Sequence, residues 1–352
     1  MAAVYSINPL QDSRWETFLE TQPHASAFHS RGWLEAIDRT YDYKPVVFTT
    51  SSPTETLKNA LLFASVRSWL TGRRIVSLPF SDHCEPLFDS SEELNIVLSY
   101  LQTEMDHQRW KYIEVRAMSG NLMGQTDRCG FRPAASYHLH RIDLQPKLQD
   151  VFQSLDKDSV QRRIRHAERA GLIEKSGRGE DLLKDFYHLT VLTRKRQQIP
   201  PQPYGWFQNV LSCLGEAAEI RMAYTKEGIP AAGIWILRYK NSVIYKYGCS
   251  DERFKHLGAT VLLLWRAIEN AKENGAIEFD LGRSEESNRG LVTFKDKWTS
   301  NCTRLTYWRY PPASPGSTSR EEWKLRLAKL FFARLPNSLL TAAGRAFYRH
   351  MG

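Results

Sequence analysis

Cysteine is scarce and scattered in this chain. Cys84, Cys129, Cys213, Cys249 and Cys302 form no CxxC pair and are odd in number. Neither a zinc site nor a disulfide framework is expected, and a reducing cytoplasmic setting is. Long apolar runs are absent as well. The longest, Ala231–Leu237 and Val261–Trp265, fall far short of the roughly 20 residues that a membrane-spanning helix needs. Met1–Leu10 lacks a cationic lead and an apolar h-region, so no signal peptide is expected. No repeat of short period is visible, and only Pro311–Ser319 (PPASPGSTS) has the composition of a linker.

What is present fits a globular protein. The chain has 352 residues, 42% of them hydrophobic and 25% charged. That length suits two domains better than one core. Its net charge of +9 is unevenly spread. Residues 1–150 carry 15 Lys/Arg against 18 Asp/Glu, a balance of −3, while residues 151–352 carry 33 against 21, or +12. Such an excess either meets an anionic partner (a phosphate-bearing substrate, a nucleic acid or a lipid surface) or is a solvated basic face.

Hydrophobic periodicity makes both halves α/β with mixed sheets. In the first half, helices at Arg14–Glu20 and Gly32–Thr40 precede strands at Val46–Thr49, Leu61–Val66 and Arg74–Leu78. A helix over Glu92–His107 then leads to a strand at Tyr112–Ala117. The second half opens with a strand at His138–Leu144 and a helix from Ser159, capped by Asp158 or Ser159 and closed by Gly171. A short strand at Leu172–Lys175 and a helix at Glu180–Arg196 follow. An antiparallel meander then runs through Glu219–Tyr224, Ala231–Leu237 and Val243–Gly248. A long helix at Gly258–Asn274, a strand at Ile277–Asp280, a helix at Leu291–Trp298 and a strand at Thr303–Tyr310 complete it. These patterns set one module at residues 1–137, a second at 138–311, and a linker with a basic tail at 312–352.

One stretch carries the chemistry most plainly. Phe279-Asp280-Leu281-Gly282-Arg283 is a strand ending in Asp and Gly, and Gly290 to Trp298 starts a helix with Phe294 and Lys295. Polar groups beside a glycine at a strand end let a backbone approach a ligand. Lys295, flanked by Phe294 and Trp298, is a partly desolvated ammonium able to hold a carbonyl oxygen that turns anionic. A structural salt bridge to Asp280 or Glu285 is the alternative.

This run, FDLGR…GLxxFKxxW, resembles the signature that closes the second module of the Fem-type aminoacyltransferases and their BioF2-like relatives. Phe28 to Glu35, with Trp33, is similar to that family's opening helix. Val76 to Leu87 is similar to its SLPF-x-D segment, here with Asp82 and Glu85. Arg163 to Leu172 resembles its basic helix entering module two. The likeness covers roughly residues 25–310. Thr299 stands where the family usually has glycine after its tryptophan.

The resemblance implies two tandem GNAT-like (acyl-CoA N-acyltransferase) domains and transfer of an acyl or aminoacyl group to an amine, in peptidoglycan, exopolysaccharide or other cell-envelope assembly in a bacterium. It puts Lys295 at the transfer site. Candidate substrate-binding residues are Trp33, Asp82, Glu85, Arg194, Arg196, Tyr204, Tyr247, Asp280, Arg283 and Phe294. The donor is expected to be an acyl-CoA or an aminoacyl-tRNA, and the acceptor a small molecule or a lipid-linked sugar-peptide. No metal is expected.

Donor binding has two candidate regions. Acetyl-CoA enzymes cradle pyrophosphate in a (Q/R)xxGx(G/A) turn opening a helix. Here the turn reads Lys255-His256-Leu257-Gly258-Ala259-Thr260, which keeps the glycine but replaces both flanks. On the helix from Ser159, Arg162, Arg165 and Arg169 share a face at i, i+3, i+7 and could track a nucleic-acid or pyrophosphate backbone. Thr193 to Gln197, followed by the Pro200–Trp206 stretch with Tyr204, has the makings of a basic substrate lid. Asp82-His83-Cys84-Glu85 lacks a third partner at suitable spacing, so neither a Cys-His nucleophile nor a metal site is expected there. Arg320–Leu335 reads as an amphipathic helix with Trp323, Leu327, Leu330 and Phe331 on one side, either packed on its own domain or lying on an anionic membrane. The rival to transfer is a non-catalytic protein that keeps this tandem fold to bind polyanions.

Overall fold

The computed structural model describes residues 3–118, 129–312, 332 and 334–352. Their contacts divide the chain into two units. The first holds the residues up to Tyr137 with 304–312 and 346–352; the second holds His138–Thr303 with 332 and 334–345.

In the first unit the strands β1 (Tyr5–Ile7), β2 (Lys44–Thr49), β3 (Leu61–Ser68), β4 (Gly72–Val76) and β5 (Ile113–Ala117) lie in sequence order. All neighbours are antiparallel except β4 and β5, which run parallel at Ile75↔Ile113 and Val76↔Glu114. Helices α1 (Arg14–Thr21) and α2 (Arg31–Tyr41) bury Trp15, Trp33, Leu34 and Ile37. Helix α3 (Ser91–Gln108) starts where the Ser90 hydroxyl accepts from the amides of Glu92 and Glu93 at 3.2 and 3.4 Å. Its Leu94, Leu98 and Leu101 pack with Phe63, Ile75, Ile113 and Phe131.

The second unit orders its strands β6-β11-β10-β9-β8-β7. Strand β6 (Arg132–Asp143) enters it at His138, and α4 (Leu148–Ser154), α5 (Arg162–Arg169), β7 (Ile173–Gly177), α6 (Glu180–Arg196) and α7 (Tyr204–Leu214) follow. The meander β8 (Ala218–Tyr224), β9 (Pro230–Tyr239) and β10 (Ser242–Ser250) is antiparallel throughout. Helix α8 (Ala259–Glu273), strand β11 (Glu278–Glu285) and helix α9 (Arg289–Asp296) complete the unit. Helix α8 is apolar on most of its surface because it is covered by both sheet and α5. Val261, Leu263, Leu264, Trp265, Ala267, Ile268 and Ala271 are all buried in one core with Ile164, Ile236 and Phe279. Each such Leu or Ile stabilises the unit by roughly 1.5–3 kcal/mol.

Several expectations need correction. The last strand, β12 (Cys302–Tyr310), was expected in module two, yet Thr306–Tyr310 pairs antiparallel with Ala117–Ile113 of the first unit. Alternation fixes that a segment is a strand, not which sheet it joins. Helix α5 is capped two residues earlier than expected: Asp156 Oδ1 accepts from the Ser159 amide at 2.7 Å. A wide turn over Lys157–Gln161, with Gln161 N donating to Asp156 O at 3.0 Å, takes up the difference. Pro200–Trp206 is no lid: Pro200, Pro201 and Gln202 are buried, and Tyr204 opens α7, whose Trp206 and Phe207 fill the core. Helices α4 and α7 were not anticipated, while the expected C-terminal helical tail is present in α10 (Asn337–Met351), further along than Arg320–Leu335. Most of the linker and Trp323, Leu327, Leu330 and Phe331 of the expected tail helix lie outside the described residues. Among the described residues, no helix is long and apolar enough to cross a membrane.

Candidate functional site

The site in the second unit begins with a local failure of pairing. Strands β10 and β11 are parallel neighbours for three residue pairs only, Ser242↔Glu278 to Ile244↔Asp280. Beyond Tyr245 strand β10 carries an irregularity between Tyr245 and Tyr247 while it stays paired with β9. Strand β11 continues to Glu285 through Gly282, whose φ of +74° suits only glycine well. Two parallel strands that separate in this way leave room at their carboxyl ends, where open α/β sheets bind ligands.

A cavity of about 230 Å³ lies beyond the end of β10. Its walls are Ser250 and Asp251, the turn with Lys255 and Gly258, Ala259 to Val261 at the start of α8, and Phe254 and Phe294. Arg163 from α5 and Arg196 from the end of α6 complete it. The first turn of an α-helix leaves amide donors without intrahelical partners and carries partial positive charge. Three side-chain cations therefore add to a positive helix end. Of the two carboxylates present, Asp251 is spoken for. It binds the Arg253 guanidinium at 2.7 and 3.0 Å, which holds its carboxyl below the usual carboxylate range. Arg196 leans on the Ser250 carbonyl at 3.4 Å.

Gly258 is required twice over. Its φ is +73°, and a Cβ there would stand 3.3 Å from both the Ala167 Cβ and the Arg163 carbonyl. The turn is thus pressed against α5, which is how Arg163 comes to the cavity.

The structure brings together four of the expected residues, Lys255, Gly258, Arg196 and Phe294. It separates the rest from this cavity. Arg162, Arg165 and Arg169 are exposed on α5. Arg165 stacks over the Phe152 ring at 5.5 Å, and Arg169 Nε donates to the Arg165 carbonyl at 3.0 Å. Arg163, one position away, lines the cavity instead. A sequence signal existed: Ala167 and Ala170 lie at i+4 and i+7 from Arg163, and small residues mark where another backbone comes close. Arg194 donates to Gln197 Oε1 at 3.0 Å. The Tyr204 hydroxyl donates to Glu180 at 2.7 Å. Tyr247 accepts from Trp206 Nε1 at 2.9 Å.

Lys295 is not among the residues lining the cavity. It is buried, and its ammonium donates to the carbonyls of Gly282 at 2.6 Å and Arg283 at 3.0 Å. The Asp280 carboxylate accepts from the Gly282 amide at 2.6 Å. Asp280, Gly282, Arg283 and Lys295 thus form one brace that ties α9 to the turn of β11.

In the first unit the expected residues Trp33, Asp82 and Glu85 are buried. Trp33 is fully buried, its Nε1 donating to Ser81 Oγ at 2.8 Å. The Asp82 carbonyl accepts from the Tyr307 hydroxyl at 2.7 Å. The Glu85 carboxylate accepts from the Met118 amide, and its carbonyl lies 3.1 Å from His29 Nε2. Cys84 does meet a histidine, with Sγ 3.4 Å from His29 Nε2. Burial pushes that thiol far up, so it is no thiolate nucleophile. No cluster that could hold a metal occurs among the described residues.

Residues 156–296 match the Acetyltransferase (GNAT) domain family. No curated protein matches the chain in sequence. Solved structures share its fold. FemX is 13% identical with a TM-score of 0.68, over 87% of this chain and 97% of that one. The structure of L-PGS from Bacillus licheniformis is 14% identical with a TM-score of 0.57, over 92% and 97%. A tandem GNAT protein from the clavulanic acid biosynthesis pathway is 9% identical with a TM-score of 0.55, over 89% and 99%. The chain has a tandem GNAT-like fold, as its Fem-type resemblance implied, and residues 156–296 of its second unit match the GNAT domain family.

Proposed function

We propose that this protein is an N-acyltransferase that moves an acyl or aminoacyl group from a phosphate-bearing donor to an amine in cell-envelope assembly. One observation carries the reading: the cavity beyond the end of β10, with Arg163, Arg196 and Lys255 around the first turn of α8. The donor's phosphate sits against these cations and the free helix amides. Phe254 and Phe294 give the acyl side an apolar wall.

In the reaction the acceptor's neutral amine attacks the donor's carbonyl carbon. A C–N bond forms, the carbonyl oxygen becomes anionic, and collapse expels the donor's thiolate or ribose oxygen. The proton lost by the amine goes to that leaving group. Proximity and orientation supply most of the rate. Lys295 acts as a positioning residue, since it fixes α9, and with it Phe294, against β11.

Thr260 lines the cavity where the CoA-type turn has Gly or Ala, so free acetyl-CoA is the poorer donor and an aminoacyl-tRNA the better one. The test incubates the protein with either donor and amine acceptors, including a lipid-linked sugar-peptide, and weighs the products. Acyl-modified acceptor that disappears in Arg163→Gln/Arg196→Gln supports the reading. Tight polyanion binding without any transfer would leave the non-catalytic alternative standing.

A further inference from the structure

The β3–β4 hairpin of the first unit has a tip unlike the rest of its surface. Trp69 is 86% exposed and Leu70 52% exposed, side by side in the turn. The turn is rigid, because the Ser68 hydroxyl accepts from the amides of Leu70 and Thr71 at 3.1 and 2.9 Å. The only ring packed on Trp69 among the described residues is that of His350, edge-on at 5.4 Å.

Just behind the tip, Arg67 and Arg73 stand directly opposite each other across the two strands. Like charges in that position repel. Both are exposed, and neither guanidinium has an ion-pair or hydrogen-bond partner among the described residues. The side chain of Lys111 lies against Gly72 and adds a third cation without a partner among the described residues. From residue 60 to residue 80 the chain contains no Asp or Glu. The two arginines also reach a shallow cavity of about 260 Å³ beside Tyr100 and Trp110, in which Glu104 is the one carboxylate.

We infer that this hairpin docks the protein on an anionic phospholipid surface, with Trp69 and Leu70 entering the interface and Arg67, Arg73 and Lys111 lying on the phosphates. Two side chains at a tip are far too little for a stable protein interface of about 800 Å² per partner. They are the right size for the headgroup layer, where tryptophan's apolar ring and N–H donor are both satisfied. The cations stand behind the apolar pair, and an anionic leaflet attracts them within a Debye length. This inference is independent of the transfer reaction proposed above.

The test is co-sedimentation of the full-length protein with phosphatidylglycerol-containing vesicles, against phosphatidylcholine vesicles, at low and high salt. Binding is expected only to the anionic vesicles, weaker in salt. About a tenfold loss is expected in Trp69→Ser/Leu70→Ser and again in Arg67→Gln/Arg73→Gln, with unchanged thermal midpoints, since all four side chains are exposed. Loss in the arginine variant but not in the tip variant would reduce the effect to a general positive field and overturn the docking site. So would a tip variant that changes the oligomeric state while vesicle binding stays intact, or preferential binding to RNA. Free phosphate that competes fully with the vesicles would show a soluble ligand and overturn it as well.

Discussion

At the scale of single residues, Lys295 is set apart from the cavity by what its ammonium touches. The flanking Phe294 and Trp298 pointed to a desolvated ammonium, and the side chain is indeed buried. Its ammonium donates to two main-chain carbonyls. Removing the ammonium leaves buried acceptors unpaired, each worth about 1–3 kcal/mol. Lys295→Met should therefore lose about 2–4 kcal/mol of stability in urea unfolding. A variant as stable as the parent but without turnover would restore a direct catalytic role. The thiols offer a second check. Cys302 is exposed, whereas Cys84 and Cys249 are buried and their thiols are pushed well up by that burial. Cys302 should react with a disulfide reagent in the native protein, and the other two only after unfolding. Fast native labelling of Cys84 would make the Cys84–His29 contact a reactive pair.

At the scale of elements, glycine positions separate structure from accident. Gly258 has a left-handed φ and α5 pressed against it. Gly258→Ala should cost at least about 1–2 kcal/mol from the backbone alone. Gly290, inside α9 with open space around it, should become more stable as Ala, by roughly 0.5–1 kcal/mol. Equal effects in thermal melts would contradict the packing described for the α8 turn. The same scale shows what the sequence made legible. Helix α6 is found at Glu180–Arg196, where the period placed it, and the meander strands lie where alternation put them. Helix α7 escaped because three prolines precede it and no polar side chain caps it. The arginine trio was legible as one face of α5, but a wheel does not say which neighbouring position faces the distant turn at Gly258. That is why Arg163, and not Arg162, Arg165 or Arg169, reaches the cavity.

At the scale of the whole molecule, buried histidines make stability depend on pH. Burial lowers the pKa of His140 in the second unit, against the pull of Asp296 at 2.9 Å, and also that of His350 in the first. A histidine with a depressed folded pKa favours folding while it is neutral. The unfolded chain takes up the proton first, so stability is full above the unfolded value of about 6.5 and falls as pH drops toward the folded value. Melting temperatures should decline from pH 7 to pH 5, and His140→Gln should flatten part of that decline. Unchanged slopes in both His140→Gln and His350→Gln would contradict the assignment.

The charge excess of residues 151–352 raised the question of a phosphate-bearing partner, and the cavity at the start of α8 is the place proposed for it. The most direct measurement is donor affinity, by calorimetry for acetyl-CoA and by filter binding for an aminoacyl-tRNA. It compares the parent with Arg163→Gln/Arg196→Gln and with Arg162→Gln/Arg165→Gln/Arg169→Gln, at two salt concentrations. Each neutralised phosphate adds to the salt slope. The tRNA should bind more tightly than acetyl-CoA, the cavity pair should weaken it by about tenfold or more, and the exposed trio should change it little. Full affinity in the cavity pair with loss in the trio would put the donor on the outer face of α5 and contradict the site described.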